Sequence, residues 1–545
     1  MALGLAELIQ GLDGMVPSLP VAVSQRVIEV MPGNVVTAGV ATLGKAATPI
    51  LVTIVVITTL ALGGLLALLS RRSPAAALFG ALAIGAVGFA AALYEPVVGP
   101  VEAGLTVLAA LILGIFTCRV LARTAELIAR VTLLPELAES GRETQPESFA
   151  GRSREAHSRE GIVVGRGAFL LLGTTAAVVG IATAVTGRFM ASRREADVAF
   201  KSVKLSGPPA GGASRILNRM TLPPPPADAS IEAPGMPPLF TPNEDFYLVD
   251  TAISSPRINV DRWSLKVKGA VDNSIELTYS ELLALPTREA DITLSCVSNE
   301  VGGGLVSNAR WTGVLLSDVL AEAGVSRDKV SGASEQVVGR SVDGWEAGFR
   351  TEIALDGREA LVAFGMNGEE LPVKHGYPVR LVVPGLYGYV SATKWLTEIE
   401  LTERAYDVYW VKRGWAKGGQ IKTQSRIDTV KDGDTVPEGT VRIGGIAWAP
   451  TRGIESVEVS TDNGKTWNDA TLAAQLDIDA WRQWIYDWNA HPGEYILKVR
   501  ATDGEDKIQT QKETAPIPSG ATGYHTVKVT VERVPQKSYP PDPQP

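Results

Sequence analysis

Cysteine is nearly missing from this chain. There are two in 545 residues, Cys118 and Cys296. That excludes a disulfide framework, an all-cysteine zinc site and a cysteine-ligated iron–sulfur cluster. No CxxCH occurs, so no covalent c-type haem is expected. Histidine is also scarce, four residues, and none lies in a long apolar run. Paired axial ligands for a haem b held between membrane helices are therefore lacking. Charge is sparse and the net charge is -8, which makes no case for a nucleic-acid partner.

Long apolar runs, by contrast, are present. Four are long enough to span a bilayer: Pro49–Leu69, Ala75–Tyr94, Ala103–Leu121 and Gly167–Val185. Their interiors lack Asp, Glu and Lys, so a proton relay or ion path is not expected, and Gly80, Gly85 and Gly88 read as helix contacts. Arg71 and Arg72 follow the first run, and Arg119, Arg123, Arg130, Arg142, Arg152, Arg154, Arg159 and Arg166 follow the third. The positive-inside rule makes those two loops cytoplasmic and places everything after Arg188 outside. Leu3–Leu12 is apolar but too short to span. With four spans Met1 starts outside; an upstream piece would make Leu3–Leu12 the end of a fifth span.

Residues 1–188 thus read as a helical membrane anchor and 189–239 as a Pro-rich linker, with Pro223–Pro226 its stiffest part. Residues 240–406 mix strand and helix patterns, including a strand over Trp263–Gly269, a short helix over Thr278–Leu285 and a helix over Leu315–Ala323. Val390–Leu401 reads as a strand pair or as a strand beside a turn. An α+β domain is expected there. Residues 407–535 alternate in the β manner at Val441–Ala447, Ser456–Ser460, Tyr495–Ala501 and Thr526–Val531, with a hairpin signal at Asp462-Asn463-Gly464. That texture predicts a β-sandwich. Its tryptophans, Trp448, Trp467, Trp481, Trp484 and Trp488, read as core and interface aromatics rather than a ligand platform. Residues 536–545 read as a disordered tail.

One stretch organises the rest: Ile292-Thr-Leu-Ser-Cys296-Val-Ser-Asn299, a glycine-rich loop through Gly304, and Arg310-Trp311. Cys296 either packs as a small hydrophobe or offers a soft thiolate to a thiophilic metal at the rim of a loop.

Thr293–Asn299 followed by Asn308-Ala-Arg-Trp311-Thr-Gly-Val resembles the molybdenum-binding core of the sulfite oxidase family. Met366–Gly385, with His375 and Arg380, resembles that family's second signature, and Lys394-Trp395-Leu its third. The resemblance covers about Phe240–Val534, and the whole chain is similar to membrane-anchored actinobacterial-type members. It implies transmembrane α-helices, a sulfite-oxidase-like α+β molybdopterin-binding domain and an immunoglobulin-like β-sandwich through which a homodimer forms. It also implies a Mo-molybdopterin cofactor with Cys296 as the protein thiolate, and oxygen-atom transfer on a small oxo-anion or sulfur/oxo substrate. Arg380 would take the cofactor phosphate and His375 the ring system. Asn243, Tyr247, Ser298, Asn299, Ser391, Thr393 and Lys394 would complete the cofactor shell.

Two departures bear on substrate. Leu248 and Val249 stand where sulfite-oxidising members place an arginine, and no tyrosine of Tyr409–Trp415 matches the one those members hold beside the metal. Lys412 and Arg413 either supply positive charge instead or lie on the surface. Gly165-Arg166-Gly-Ala-Phe169-Leu170 resembles a twin-arginine signal with one arginine missing, which points to export of a folded domain. No haem domain is fused within these residues, so the electron carrier is expected to be external. A reductase of sulfoxides or other oxo-compounds is the alternative on the same cofactor. A cofactor-free surface binding module is the non-enzymatic alternative.

Overall fold

In the computed structural model, residues 2–12, 18–43, 46–70, 72–93, 100–140, 166–200 and 219–533 are described. The chain divides into two units, Met1–Val198 and Ala199–Pro545. The first is helical: α1 Ala2–Leu12, α2 Leu19–Val30, α3 Gly33–Leu43, α4 Ala47–Leu69, α5 Pro74–Leu93, α6 Pro100–Ser140 and α7 Arg166–Phe200. Among the described residues three helices are long and apolar enough to cross a membrane: α4, α5 and the Pro100–Val120 part of α6. The fourth expected span, Gly167–Val185, lies within α7, the side chains of whose first turns fall outside the described set. The arginine-rich loop after α6 falls largely outside it too, as do the 201–218 part of the linker and the 536–545 tail.

Small residues set the helix contacts. A Cβ on Gly80 would meet Leu66 of α4, and one on Gly85 would meet Leu111 of α6. Gly88 has nothing within 4 Å. Two of the three glycines thus sit at helix contacts, as small residues do where helices pack closely.

The second unit begins with β1, Arg219–Met220. It continues through β2 Ser264–Gly269, β3 Ile275–Thr278, α8 Tyr279–Ala284, β4 Thr287–Ser295, β5 Val306–Leu315, α9 Leu316–Glu322, β6 Gln336–Ser341, β7 Glu346–Arg350 and α10 Thr351–Ala354. Then come β8 Leu361–Met366, β9 Glu369–Glu370, β10 Arg380–Val382, α11 Gly388–Ser391 and β11 Leu396–Thr402. One sheet orders β1-β4-β5-β8-β10 with β9 on β8, and another orders β3-β2-β11-β6-β7. The short helix expected at Thr278–Leu285 forms as α8. Thr278 caps it and Glu281 closes the capping box. Within Val390–Leu401 only β11 is a strand, because the segment ahead of it winds into the turn of α11.

The β-rich remainder comprises β12 Gln424–Ile427, β13 Asp434–Pro437, β14 Gly439–Trp448, β15 Ile454–Ser460, β16 Asn468–Asp469, β17 Thr471–Leu472, β18 Arg482–Ala490, β19 Gly493–Asp503 and β20 His525–Glu532. These form two sheets, β12-β14-β18-β17 and β13-β20-β19-β15-β16. Ile443, Val457, Trp484, Leu497 and Val527 fill one shared core between them. Trp448, Trp481 and Trp488 are buried as well. The turn at Asn463 and Gly464, both at positive φ, joins the antiparallel pair β15 and β16.

The Pro-rich segment behaves differently from a free tether. Residues Arg219–Leu239 are strapped across both halves of the second unit. β1 pairs in parallel with β4, and Arg310 Nη1 donates to Pro223 O at 2.9 Å. Ala474 N–H donates to Asp228 O, Gln483 donates to Pro237 O, and Trp481 Nε1 donates to Leu239 O. Proline carbonyls remain acceptors although the ring removes the N–H. The same composition therefore serves a docked strap.

Candidate active site

The β4–β5 hairpin carries the organising stretch. Ser295 pairs with Val306, and Cys296 N–H donates to Leu305 O at 2.9 Å, so the glycine-rich loop leaves and returns at Cys296. Asn299 closes the loop: its N–H donates to Cys296 O at 3.1 Å, and its Oδ1 accepts from Leu305 N–H at 2.7 Å. Cys296 is half-buried and outside any disulfide. Burial pushes its thiol up, while the Ser298 N–H and hydroxyl, donating to the sulfur, pull the other way. Those donors favour the thiolate, the form in which cysteine binds metals.

Arg380, at the start of β10, is 3% exposed. Its Nη1 donates to His375 O at 3.0 Å, and its guanidinium lies 5.0 Å from the centre of the Trp311 ring. Among the described residues it makes no ion pair. Burial pushes it down to about 10, which leaves it a cation at neutral pH. His375 is 5% exposed, and Phe246 meets its ring edge-on at 5.5 Å. His375 Nε2 lies 2.8 Å from Asn243 O, a contact that requires the proton on Nε2. Nδ1 is buried without a partner. Burial, aided by Lys394 and Arg380, pushes His375 down to about 3, so the ring is neutral and Nδ1 presents a lone pair.

Lys394 donates to Lys374 O at 2.9 Å and pairs with Asp250 at 2.8 Å. Burial pushes it down to about 8. Tyr247 stacks on Phe246 at 5.4 Å. Burial drives its phenol up, and the charges of Cys296 and Arg380 both reach it. Cys296, Tyr247, His375, Arg380 and Lys394 are therefore electrostatic neighbours. Asn243 joins them through its carbonyl, since its side chain is spent on Met366 O and Asn367. Ser391 and Thr393 are fully buried, and their hydroxyls donate inward to Tyr387 O and Gly339 O.

Leu248 and Val249 are exposed. Neither of the alternative cations is free: Lys412 pairs with Glu346 at 2.7 Å, and Arg413 lies over the Tyr409 ring at 3.7 Å. Three neighbours escaped the sequence reading. Asp250 is the partner of Lys394, and only that pairing would have marked it. Tyr387 is a buried phenol pushed up to about 12 by burial, with the charge of Cys296 acting on it in the same direction. The segment Gly520–His525 belongs to the β-rich domain, and no local signal ties it to the site.

That segment braces the cysteine loop. Gly302 has φ of 76°, and a Cβ there would lie 2.2 Å from His525 Cδ2. Arg426 Nη1 donates to Gly303 O at 2.8 Å. Gly302→Ala combines a left-handed backbone with this clash. It is expected to cost about 2–4 kcal/mol and to displace the loop, read as a lowered Tm and lowered metal content. His525→Ala in the same chain should restore part of both.

The features fit a bound cofactor with an anionic group. A buried guanidinium without a carboxylate costs stability unless an anion arrives. An orphaned Nδ1 lone pair needs a donor. Cys296, half-buried beside a glycine loop and outside any disulfide, is the thiol that a metal could use. Among the described residues no group of three or more His, Cys, Asp or Glu could hold a metal by itself. Cys296 would then be a single protein ligand to a metal otherwise held by the cofactor.

The chain is similar to known proteins over most of its second unit. Residues 252–410 match the family profile "Oxidoreductase molybdopterin binding domain", and residues 418–532 match "Mo-co oxidoreductase dimerisation domain". The chain is 33% identical over 322 residues to the mitochondrial sulfite oxidase of Rattus norvegicus, covering 51% of this chain and 58% of that protein. It is 31% identical over 324 residues to the mitochondrial sulfite oxidase of Homo sapiens, again over 58% of that protein. The chain thus spans less than two thirds of the length of these relatives. The sulfane dehydrogenase SoxCD from Paracoccus pantotrophus aligns with a TM-score of 0.46 and 24% identity, over 56% of this chain and 85% of that one.

Proposed function

The chain belongs to the sulfite oxidase family of molybdopterin-dependent oxidoreductases, and from that premise we propose that it is a membrane-anchored enzyme transferring an oxygen atom at an extracytoplasmic site. The observation that carries this reading is Arg380: a buried cation with no ion pair among the described residues, set against the neutral His375 and the half-buried Cys296. When bound, the cofactor supplies two-electron oxygen-atom transfer to or from a substrate lone pair. The chain's residues bind and orient it. Cys296, its thiolate favoured by the Ser298 donors, would hold the metal. Arg380 would neutralise the cofactor phosphate, and the unpartnered His375 Nδ1 would offer an acceptor to the cofactor. Lys394, held by Asp250, adds positive charge. Ser298 keeps the sulfur oriented, and Asn299 keeps the loop shut.

Three apolar helices support the anchor, and the arginines at 71–72 and 119–166 support an outside position for the second unit. The two-sheet domain is read as an immunoglobulin-like sandwich through which two copies pair, as the name of its matched family suggests. Electrons pass to an external carrier. The reductive direction, on a sulfoxide or other oxo-compound, is a second reading, favoured by the uncharged Leu248 and Val249.

The test is molybdenum and released pterin per mole of full chain, purified from a host that makes the cofactor. Near-stoichiometric amounts of both are expected. Protein free of both would sink the catalytic reading and leave the binding module.

A further inference from the structure

The stretch Asp477–Trp481, between β17 and β18 of the β-rich domain, lies against the strand that ends at Cys296. Thr293 N–H of β4 donates to Asp479 O at 2.9 Å. Trp481 N–H donates to Thr293 Oγ1 at 2.7 Å, and that hydroxyl donates on to Asn308 Oδ1 of β5 at 3.0 Å. Thr293 is fully buried and stands three positions before Cys296. Whatever seats Asp479 therefore steadies the base of the cysteine hairpin.

Asp479 is 7% exposed. Its Oδ1 accepts from Thr451 N–H at 2.7 Å, and its own N–H donates to Asp477 Oδ1 at 2.9 Å. Thr451 belongs to the turn between β14 and β15, and a Cβ on Gly385, past the end of β10, would lie 2.8 Å from its Cγ2. The carboxylate thus sits in the seam between the two domains. Asp477 shares its stretch, while Glu359, ahead of β8, and Asp291, on β4, act from the other side. Most cations here are already matched. Arg310 pairs with Asp291 at 2.8 Å, Arg358 with Asp356 at 2.6 Å, and Arg452, beside Thr451, with Asp503 at 2.9 Å. Arg288 faces Glu359. Asp477, Asp479 and Glu359 make no ion pair among the described residues. Burial, and then the charge of Asp477, push Asp479 up to about 7. Asp477 and Glu359 are also raised, by burial first.

We propose that Asp479 is a proton-controlled positioning residue for the cysteine hairpin: protonated, it seats the 477–481 stretch on β4; ionised, it sets like charges against one another across the seam and loosens that hold. The closed seam keeps this proton to a higher pH than the opened one, where an aspartate titrates at about 4. Its stability is full below that value and is lost as pH rises from about 4 to about 7; above that both states are ionised and no further loss accrues. The brace itself needs no cofactor. Its consequence rests on the oxidoreductase reading above: a loosened hairpin holds the metal less firmly on the alkaline side of neutrality.

The experiment uses the full chain in detergent as wild type, Asp479→Asn and Asp477→Asn. Hydrogen exchange of the β4 peptide is followed at pH 6 and pH 8, with molybdenum measured after dialysis at each. Asparagine at 479 keeps the acceptor for Thr451 N–H and cannot ionise. Comparing proteins at one pH cancels the intrinsic exchange rate. Wild type is expected to exchange faster than Asp479→Asn, and that ratio should grow about tenfold from pH 6 to pH 8. Asp477→Asn keeps the acceptor for Asp479 N–H and removes one repelling charge, so it should fall between the two at pH 8. Molybdenum should leave wild type faster at pH 8 than at pH 6, and leave Asp479→Asn at one rate. An exchange ratio that is the same at both pH values overturns the proposal and makes Asp479 a packing residue. Asp477→Asn exchanging as wild type does at pH 8 overturns it too. The expected exchange in a wild type free of molybdenum supports the brace while removing the oxidoreductase reading. If Asp479→Asn does not fold, the ratio is read between wild type and Asp477→Asn, and it must then rise from pH 6 to pH 8.

Discussion

Cys296→Ser is expected to lower turnover at least about 10³-fold, roughly 4 kcal/mol of activation free energy, while the pterin content stays close to that of wild type. The two readouts separate because different residues hold the two parts. The sulfur would hold only the metal, whereas Arg380, His375 and Lys394 would grip the organic portion. Serine keeps the size of the side chain but replaces a soft, readily ionised sulfur by a hard hydroxyl of much higher pKa. Ser298 N–H and hydroxyl would still find an acceptor, so the loop should keep its shape. Equal stability of the two apo-proteins by thermal melting would show that packing is not what was lost. Full turnover in the variant would overturn the ligand role of Cys296.

Arg380→Met should act in the opposite way on the empty and filled forms. In the apo-protein the guanidinium is buried with backbone carbonyls as hydrogen-bond partners and no anion, so replacing it by an apolar chain of similar volume relieves a desolvation penalty. The melting temperature of the apo-form is expected to hold or rise. In the loaded form the same change would remove the charge-assisted contact proposed to the cofactor phosphate, worth about 2–5 kcal/mol, or roughly thirtyfold to several thousandfold in cofactor retention. Arg380→Lys should recover only part of that, because a point charge cannot reproduce a planar two-pronged donor. A variant that melts lower in the apo-form and retains cofactor normally would show that Arg380 is a packing residue.

Elements whose signal is local were legible in the sequence. The α8 capping box, the β4 alternation ending at Cys296 and the apolar helices α4, α5 and α6 are each written within a few turns or strands of their own residues. Elements defined by distant partners were not. Prolines 223–226 carry the composition of a linker, and nothing near them announces Arg310 or Gln483 as docking partners. Val390–Leu401 left open a strand pair or a strand beside a turn, and the second is what forms, with Tyr389 of the α11 turn packed edge-on against Trp415. In the site, Cys296, His375 and Arg380 could be named from motif order. The orphaned Nδ1 and the missing counter-ion could not, because they are facts about what is not adjacent in space. Lys422 and Tyr387 meet only once two domains have packed, and thirty-five positions of chain separate them.

The bracing of the cysteine loop sets a timetable. Thr293 accepts from Trp481 N–H and donates its own N–H to Asp479 O, and Gly302 rests on His525. These partners leave the ribosome long after Cys296; at roughly 5–20 residues per second, the stretch to His525 takes about 10–50 s. Until then the hairpin has lost neither its alternatives nor its loop entropy. The pocket thus forms only after His525 has been made, and loading it must wait until then. A second unit moved across the bilayer as it was made would arrive there before the pocket existed.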